Sequence, residues 1–250
     1  MENNINLSVF NKFDFEYSPV GVKFLLLKPK NISRLEQKLS FCEMLKEAQD
    51  SKPFYAAQDN HECKAGPFLL GMVDSNPVFE SGQIGPKLGV YDDPRANRRL
   101  YMKMHKMAKD SVNYTAFSSL DQLSFDPDLL IVTAKPHQAE ILLRAYSYRT
   151  GAAWNAKGTS VLGCAYLYMY PYATGELNMM VTGLYHGMRA RNTFPEGLLL
   201  ITIPFNVLPE IIQNLETMKW DLPQYSWGKE AHVKKMEEIG REISLELKGT

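Results

Sequence analysis

Three times along the chain a short, mostly apolar run closes on a proline and is followed by apolar positions at helical spacing. Val20–Leu27 (VGVKFLLL) runs into Lys28-Pro29-Lys30, Leu129–Ala134 (LLIVTA) into Lys135-Pro136, and Leu198–Ile203 into Pro204. Runs of this length with a breaker at the end are the pattern of strands buried on both faces. After the first run, Asn31 and Ser33 offer caps for a helix whose apolar positions Leu35, Leu39, Cys42 and Leu45 share one face. The second is followed by a helix from His137 to Arg149, the third by one passing through Ile211 and Leu215. Strands alternating with helices predict an α/β class fold: a single mixed α+β domain whose sheet is built from strand-proline-helix units.

Other segments take their place around these units. Residues 1–18 form a lead-in whose Phe10, Phe13, Phe15 and Tyr17 can pack on the body. Phe54–Ala57 predicts a short strand, Gly66-Pro67 a turn, and residues 73–93, with their glycines and prolines, a long loop. Asp93-Pro94 is a helix start, cap then N1 proline, for a basic helix reaching about Lys109, and Val112–Ser118 predicts a strand. Between the second and third units, Trp154–Met180 reads as β-rich: Tyr166, Tyr168, Tyr170 and Tyr172 alternate, which is a strand face with Cys164 on the same side. The core spans residues 19–215. A C-terminal amphipathic helix at 228–248, with Val233, Met236, Ile239, Ile243 and Leu247, is expected to pack on this domain or on a second copy, giving a homodimer.

Composition narrows the classes. An apolar fraction of 45% supplies a sizeable core and excludes a disordered chain. Lys plus Arg and Asp plus Glu are both 28, so there is no polyanion footprint and nucleic acid is not expected as a partner. No apolar run approaches a membrane span, and residues 1–17 have acids and amides where a signal peptide has basic and then apolar residues. The expected location is the cytoplasm.

Candidate chemistry centres on Ala56–Met72, which holds His61 and Cys63. Three cysteines without a CxxC pair argue against a disulfide framework and against a zinc ribbon. Taken singly, each is more often a core residue than a ligand, as His186 is more often a satisfied polar group and Arg189 a surface ion pair. Phosphate-cradling glycine loops, HExxH and GxSxG are absent from the sequence. A thiol enzyme using Cys63 with His61 as base is one conceivable reading, although nothing fixes their geometry in a loop.

The order Val20-Gly21-Val22-Lys23-Phe24, Phe41-Cys42, Cys63-Lys64-Ala65-Gly66, Leu70-Gly71, Cys164, Pro171, Gly175, Gly187 and Arg189 resembles the archaeal and bacterial ArCR family, domain-of-unknown-function family 169, over roughly residues 19 to 215. The resemblance implies a cysteine set at Cys42, Cys63 and Cys164, with a further cysteine in the segment matching Tyr185–Arg189. Such a set in a cytoplasmic protein implies an iron–sulfur cluster. This chain reads Tyr185-His186-Gly187-Met188-Arg189 there, so the fourth place falls to His186 or Tyr185, or stays open to a small ligand, or the site is lost with the fold retained.

The expectation is therefore a cytoplasmic iron–sulfur or metal-binding protein of redox or small-molecule metabolism, with a small molecule or a redox protein as partner. Cys42, Cys63, Cys164 and His186 are the candidate metal ligands, and His61, Tyr185 and Arg189 the candidate ligand-binding residues. The alternative is a metal-free small-ligand-binding or interaction protein whose cysteines belong to the core.

Overall fold

The computed structural model describes residues 5–248. The chain divides into two compact units, Met1–Glu216 and Thr217–Thr250. The first is built on a seven-stranded sheet among the described residues, in the order β2-β3-β4-β1-β5-β7-β6. Its strands are β1 (Val20–Leu25), β2 (Ser33–Arg34), β3 (Phe54–Ala56), β4 (Tyr114–Ser119), β5 (Leu129–Ala134), β6 (Asn178–Val181) and β7 (Leu199–Pro204). The β2–β3 pair is parallel and every other pair antiparallel, so the sheet is mixed. The three proline-terminated runs supply adjacent central strands, β1, β5 and β7. The first stops short of its predicted end. Leu26 and Leu27 are exposed, because Lys28-Pro29 turns the chain away before they can pair.

The predicted helix over 33–48 is divided. Ser33–Arg34 instead pairs with β3, and α1 (Phe41–Asp50) begins only after Ser40. Ser40 accepts from the Glu43 N–H while the Glu43 carboxylate accepts from the Ser40 N–H, a reciprocal cap stronger than the one Asn31 or Ser33 offered. Gly66-Pro67 lies inside a helical turn, α2 (Ala65–Leu69), with the proline in its first turn, where no N–H is required. Two short helices, α3 (Pro77–Glu80) and α4 (Ile84–Lys87), interrupt the expected 73–93 loop. Asp93 caps α5 (Pro94–Lys103) as predicted, its carboxylate accepting from the Arg95 N–H. The remaining longer helices of this unit are α6 (Pro136–Ser147) and α9 (Leu208–Thr217).

The largest departure is at Cys164. Residues 163–174 are helical rather than extended: a π turn over Ala165–Met169 leads into α7 (Tyr170–Thr174). The tyrosines do not share a strand face; Tyr168 and Tyr170 are buried and Tyr172 is exposed. Pro171 has no N–H for the preceding turn. The carbonyls of Tyr166 and Leu167 accept instead from Asn178 Nδ2 at 2.9 Å and Thr202 Oγ1 at 2.8 Å. Asn178 and Thr202 are themselves register partners across β6 and β7. The sheet thus completes the hydrogen bonding of a helix that is irregular by itself.

Alternate residues of the central strands, Val20 and Val22 with Leu129 and Ile131, face one core cluster with Phe41, Leu45, Leu167 and Tyr168. Each fully buried aliphatic side chain of this kind contributes about 1.5–3 kcal/mol. Gln49 Nε2 donates to Thr133 Oγ1 at 2.9 Å, anchoring α1 to β5. In the second unit, α10 (Lys229–Glu246) realises the predicted C-terminal helix, with Val233, Met236, Ile243 and Leu247 exposed. No helix among the described residues is long and apolar enough to cross a membrane.

Candidate functional site

Four chain segments meet at one partly open cavity of about 80 Å³, and each brings the start of a helix. Cys42 lies in the first turn of α1, Cys63 just before α2, and Cys164 at the start of the 163–174 helix. Gly187 and Met188 come from α8 (His186–Ala190). All three cysteines line the cavity.

Backbone and side-chain stitching holds these segments in place. The chain before Cys42 and the chain before Cys63 form a parallel bridge: the Leu39 N–H donates to the Asn60 carbonyl at 2.9 Å, and the Glu62 N–H to the Leu39 carbonyl at 3.0 Å. Asn60, almost wholly buried, reinforces it by donating to the Leu35 carbonyl at 2.7 Å and accepting from the Ala57 N–H at 3.0 Å. Tyr168 stacks on Phe41 and donates to its carbonyl, which sets the Cys164 helix against the α1 terminus. The His186 N–H donates to the Ser160 carbonyl at 2.8 Å, tying α8 to the loop that leads into Cys164. The Tyr185 ring fits against Gly158 and Gly163; a Cβ at Gly158 would come within 2.7 Å of the Tyr185 hydroxyl.

Burial dominates the electrostatics of Cys42 and Cys164. Burial raises the Cys42 thiol above its ordinary range, opposed by the Ser40 hydroxyl 3.2 Å from its sulfur. Cys164 is pushed up further, by burial first and then by Cys42 and Cys63 beside it, while its own N–H and that of Ala165 oppose the rise. Thiols whose pKa is raised by burial are poor nucleophiles at neutral pH. They ionise readily once a cation is present to compensate the charge. Among the described residues, no group of three or more His, Cys, Asp or Glu side chains is arranged to hold a metal ion. A single ion requires sulfurs about 2.3 Å from one point, whereas a cluster spreads its thiolates over separate irons.

The other predicted residues are placed differently. His61 faces a separate cavity of about 310 Å³, lined also by Gln58, Phe68 and Phe79. Its ring lies edge-on to Phe41 at 5.6 Å, burial lowers its pKa to about 4, and neither ring nitrogen has a hydrogen-bond partner among the described residues. It forms no hydrogen-bonded dyad with Cys63. Tyr185 lines the thiol cavity, and its hydroxyl lies against Gly158. His186 is exposed and not part of the wall, and Arg189 is an exposed partner of Glu196 at 3.1 Å. The basic residue at the cavity is Arg191, an exposed residue whose side chain is 30% accessible, with Glu43 at 3.6 Å and Glu62 at 3.8 Å. Sequence reading missed it because its position relative to the cavity depends on where α8 ends.

A family model described as uncharacterised ArCR, domain-of-unknown-function family 169, matches residues 10–214. An uncharacterised protein of Methanocaldococcus jannaschii is 25% identical over 191 residues, covering 75% of this chain and 81% of the relative. No solved structure matches.

Proposed function

We propose that this chain, which belongs to the ArCR family, holds an iron–sulfur cluster on Cys42, Cys63 and Cys164 and serves redox or small-molecule metabolism in the cytoplasm. The observation that carries the reading is the convergence of three cysteines, far apart in sequence, on one cavity at the starts of their helices. Thiolate donors select iron–sulfur clusters, zinc or copper(I) over harder ions. An anionic cluster is compatible with helix N-termini, whose free N–H groups face negative charge. When bound, the cluster supplies electron transfer or, at an iron without a protein ligand, Lewis acidity.

The residues of the chain do the rest. Phe41, Leu162 and Met188 keep bulk water from the thiols. The Ser40 hydroxyl beside Cys42 and the N–H groups at the start of the Cys164 helix stabilise thiolate charge. A redox protein or a small molecule is the partner implied by such a site.

The test is anaerobic reconstitution with iron and sulfide. The expected result is a brown protein with iron and sulfide in stoichiometric amounts, and loss of most of both in Cys42→Ala, Cys63→Ala and Cys164→Ala. Iron and sulfide no higher in the native chain than in the triple variant would overturn the reading. The metal-free alternative, a small-ligand-binding protein, would then rest on the His61 cavity, where two ring nitrogens without a hydrogen-bond partner among the described residues meet aromatic walls.

A further inference from the structure

We infer that the outer face of α5 is a docking surface for an acidic protein. Residues 94–109 hold six of the 28 basic residues of this neutral chain and none of its 28 acids, so positive charge is concentrated on one short stretch. All six are exposed. Asp93 engages Arg95 at 2.8 Å and Asp74 engages Lys109 at 2.6 Å, whereas Arg98, Arg99 and Lys103 have no ion-pair partner among the described residues. Arg99 and Lys103 are one helical turn apart, with Arg98 beside them. Like charges at that spacing disfavour a helix, so α5 by itself gains nothing from them.

The apolar content of the same region decides between partners. Met102, 78% exposed, follows Arg98 by one helical turn and precedes Lys106 by another. The short helices α3 and α4, which pack on α5, add exposed Val78 and Leu88. Methionine and arginine are enriched where proteins meet, an apolar centre inside a charged rim. A single-stranded nucleic acid calls for exposed stacking aromatics, and a membrane surface for a longer apolar face. The aromatic residue of α5, Tyr101, packs inward instead, against the core cluster that holds Cys42, with Leu100 and Met104 buried in that cluster. Burial raises the Tyr101 phenol, and Tyr91 and Cys63 add to the rise, in line with a thiol close to its inner side. One helix thus carries cations outward and neighbours of the thiol cavity inward. That the docked protein is a redox protein rests on the cluster reading; that it is acidic rests on α5 itself.

The experiment titrates the full-length chain, before and after reconstitution with iron and sulfide, against an acidic plant-type 2Fe–2S ferredoxin as the probe, by calorimetry at increasing salt. The expected result is saturable binding whose Kd rises roughly tenfold or more between about 20 and about 200 mM salt, as exposed charges are screened. Combining Arg98→Glu, Arg99→Glu and Lys103→Glu should raise Kd roughly tenfold or more at low salt, and Arg99→Gln, which keeps a good helix former, should raise it less. Met102→Ala should raise Kd about threefold with the salt dependence kept. The same charge change on α10, combining Lys229→Glu, Lys234→Glu and Arg241→Glu, should leave Kd within about twofold, which separates a local patch from net charge. Absent binding at low salt, equal binding by the native and α5 variants, or an equal loss in the α10 variant overturns the inference. So does a DNA duplex, or an anionic vesicle of phosphatidylserine and phosphatidylcholine, bound more tightly than the ferredoxin at the same salt. A chain that binds the ferredoxin but takes up no iron and sulfide defeats the cluster reading and leaves the docking surface standing.

Discussion

Tyr168 donates its hydroxyl proton to the Phe41 carbonyl at 2.9 Å while its ring lies on the Phe41 ring, centroids 4.0 Å apart and 13° from parallel. One side chain thus fixes both the distance and the orientation between the segment of Cys164 and that of Cys42. Tyr168→Phe keeps the stack and removes the donor. Denaturant unfolding should show a loss of about 1–2 kcal/mol, with weaker retention of iron. Tyr168→Ala removes the ring as well and should cost about 3–5 kcal/mol.

Gly66 has no space for a side chain. A Cβ there would stand 2.5 Å from His61 Nδ1 and 3.3 Å from the Phe41 Cβ. Gly66→Ala therefore has to displace the imidazole or the α1 terminus, at a cost of about 1–3 kcal/mol by equilibrium unfolding. Because Gly66 also lines the thiol cavity, the variant should take up less iron on reconstitution than the native chain.

His61 makes the apoprotein acid-sensitive. Burial lowers its pKa from 6.5 to about 4, so between these values the unfolded chain binds the proton more tightly than the native state does. Its stabilising contribution is complete above about pH 6.5 and is lost as pH falls toward 4. Unfolding free energy measured across this window should decline with acid, and His61→Leu should flatten the decline. An unchanged slope in that variant would assign the acid limb to other groups.

The thiols act at the opposite end of the scale. Cys42 and Cys164 have raised pKa values, chiefly from burial, so the native state holds their protons at pH values where the unfolded chain has released them. Apoprotein stability should therefore fall as pH rises past the ordinary thiol range of about 8.5. Alkylation of the folded apoprotein at pH 7 should be slow at both cysteines. Loading with iron and sulfide should release protons, measurable in weakly buffered solution, and should be favoured by higher pH within the stable range.

The central sheet was legible in the sequence because β5, nearly all of β7 and the first half of β1 are buried, and apolar runs closed by proline have few other readings. The Asp93-Pro94 start was legible because a cap acts over a few residues. The Cys164 segment was not. Nearly all of Ala165–Pro171 is buried, which erases helical periodicity, while the alternating tyrosines imitate a strand. What makes the segment helical lies elsewhere in the chain, in Asn178 and Thr202. The cysteine set was recognisable only through family resemblance, and the neighbours of the cavity only through tertiary structure. Arg189 and Arg191 cannot be told apart by residue type, and only the course of α8 brings the second to the cavity.

The proline-interrupted helix also sets an order of events during synthesis. Its Tyr166 and Leu167 carbonyls are matched by side chains of β6 and β7, and Thr202 is the last of these to leave the ribosome. Until then the segment carrying Cys164 has no reason to hold its shape, even though Cys42 and Cys63 were made more than a hundred residues earlier. The nascent chain can display two of its thiols early but can assemble the third wall only after the β6–β7 hairpin has closed. Completion of the three-thiol cavity is thereby deferred until the first unit is essentially complete.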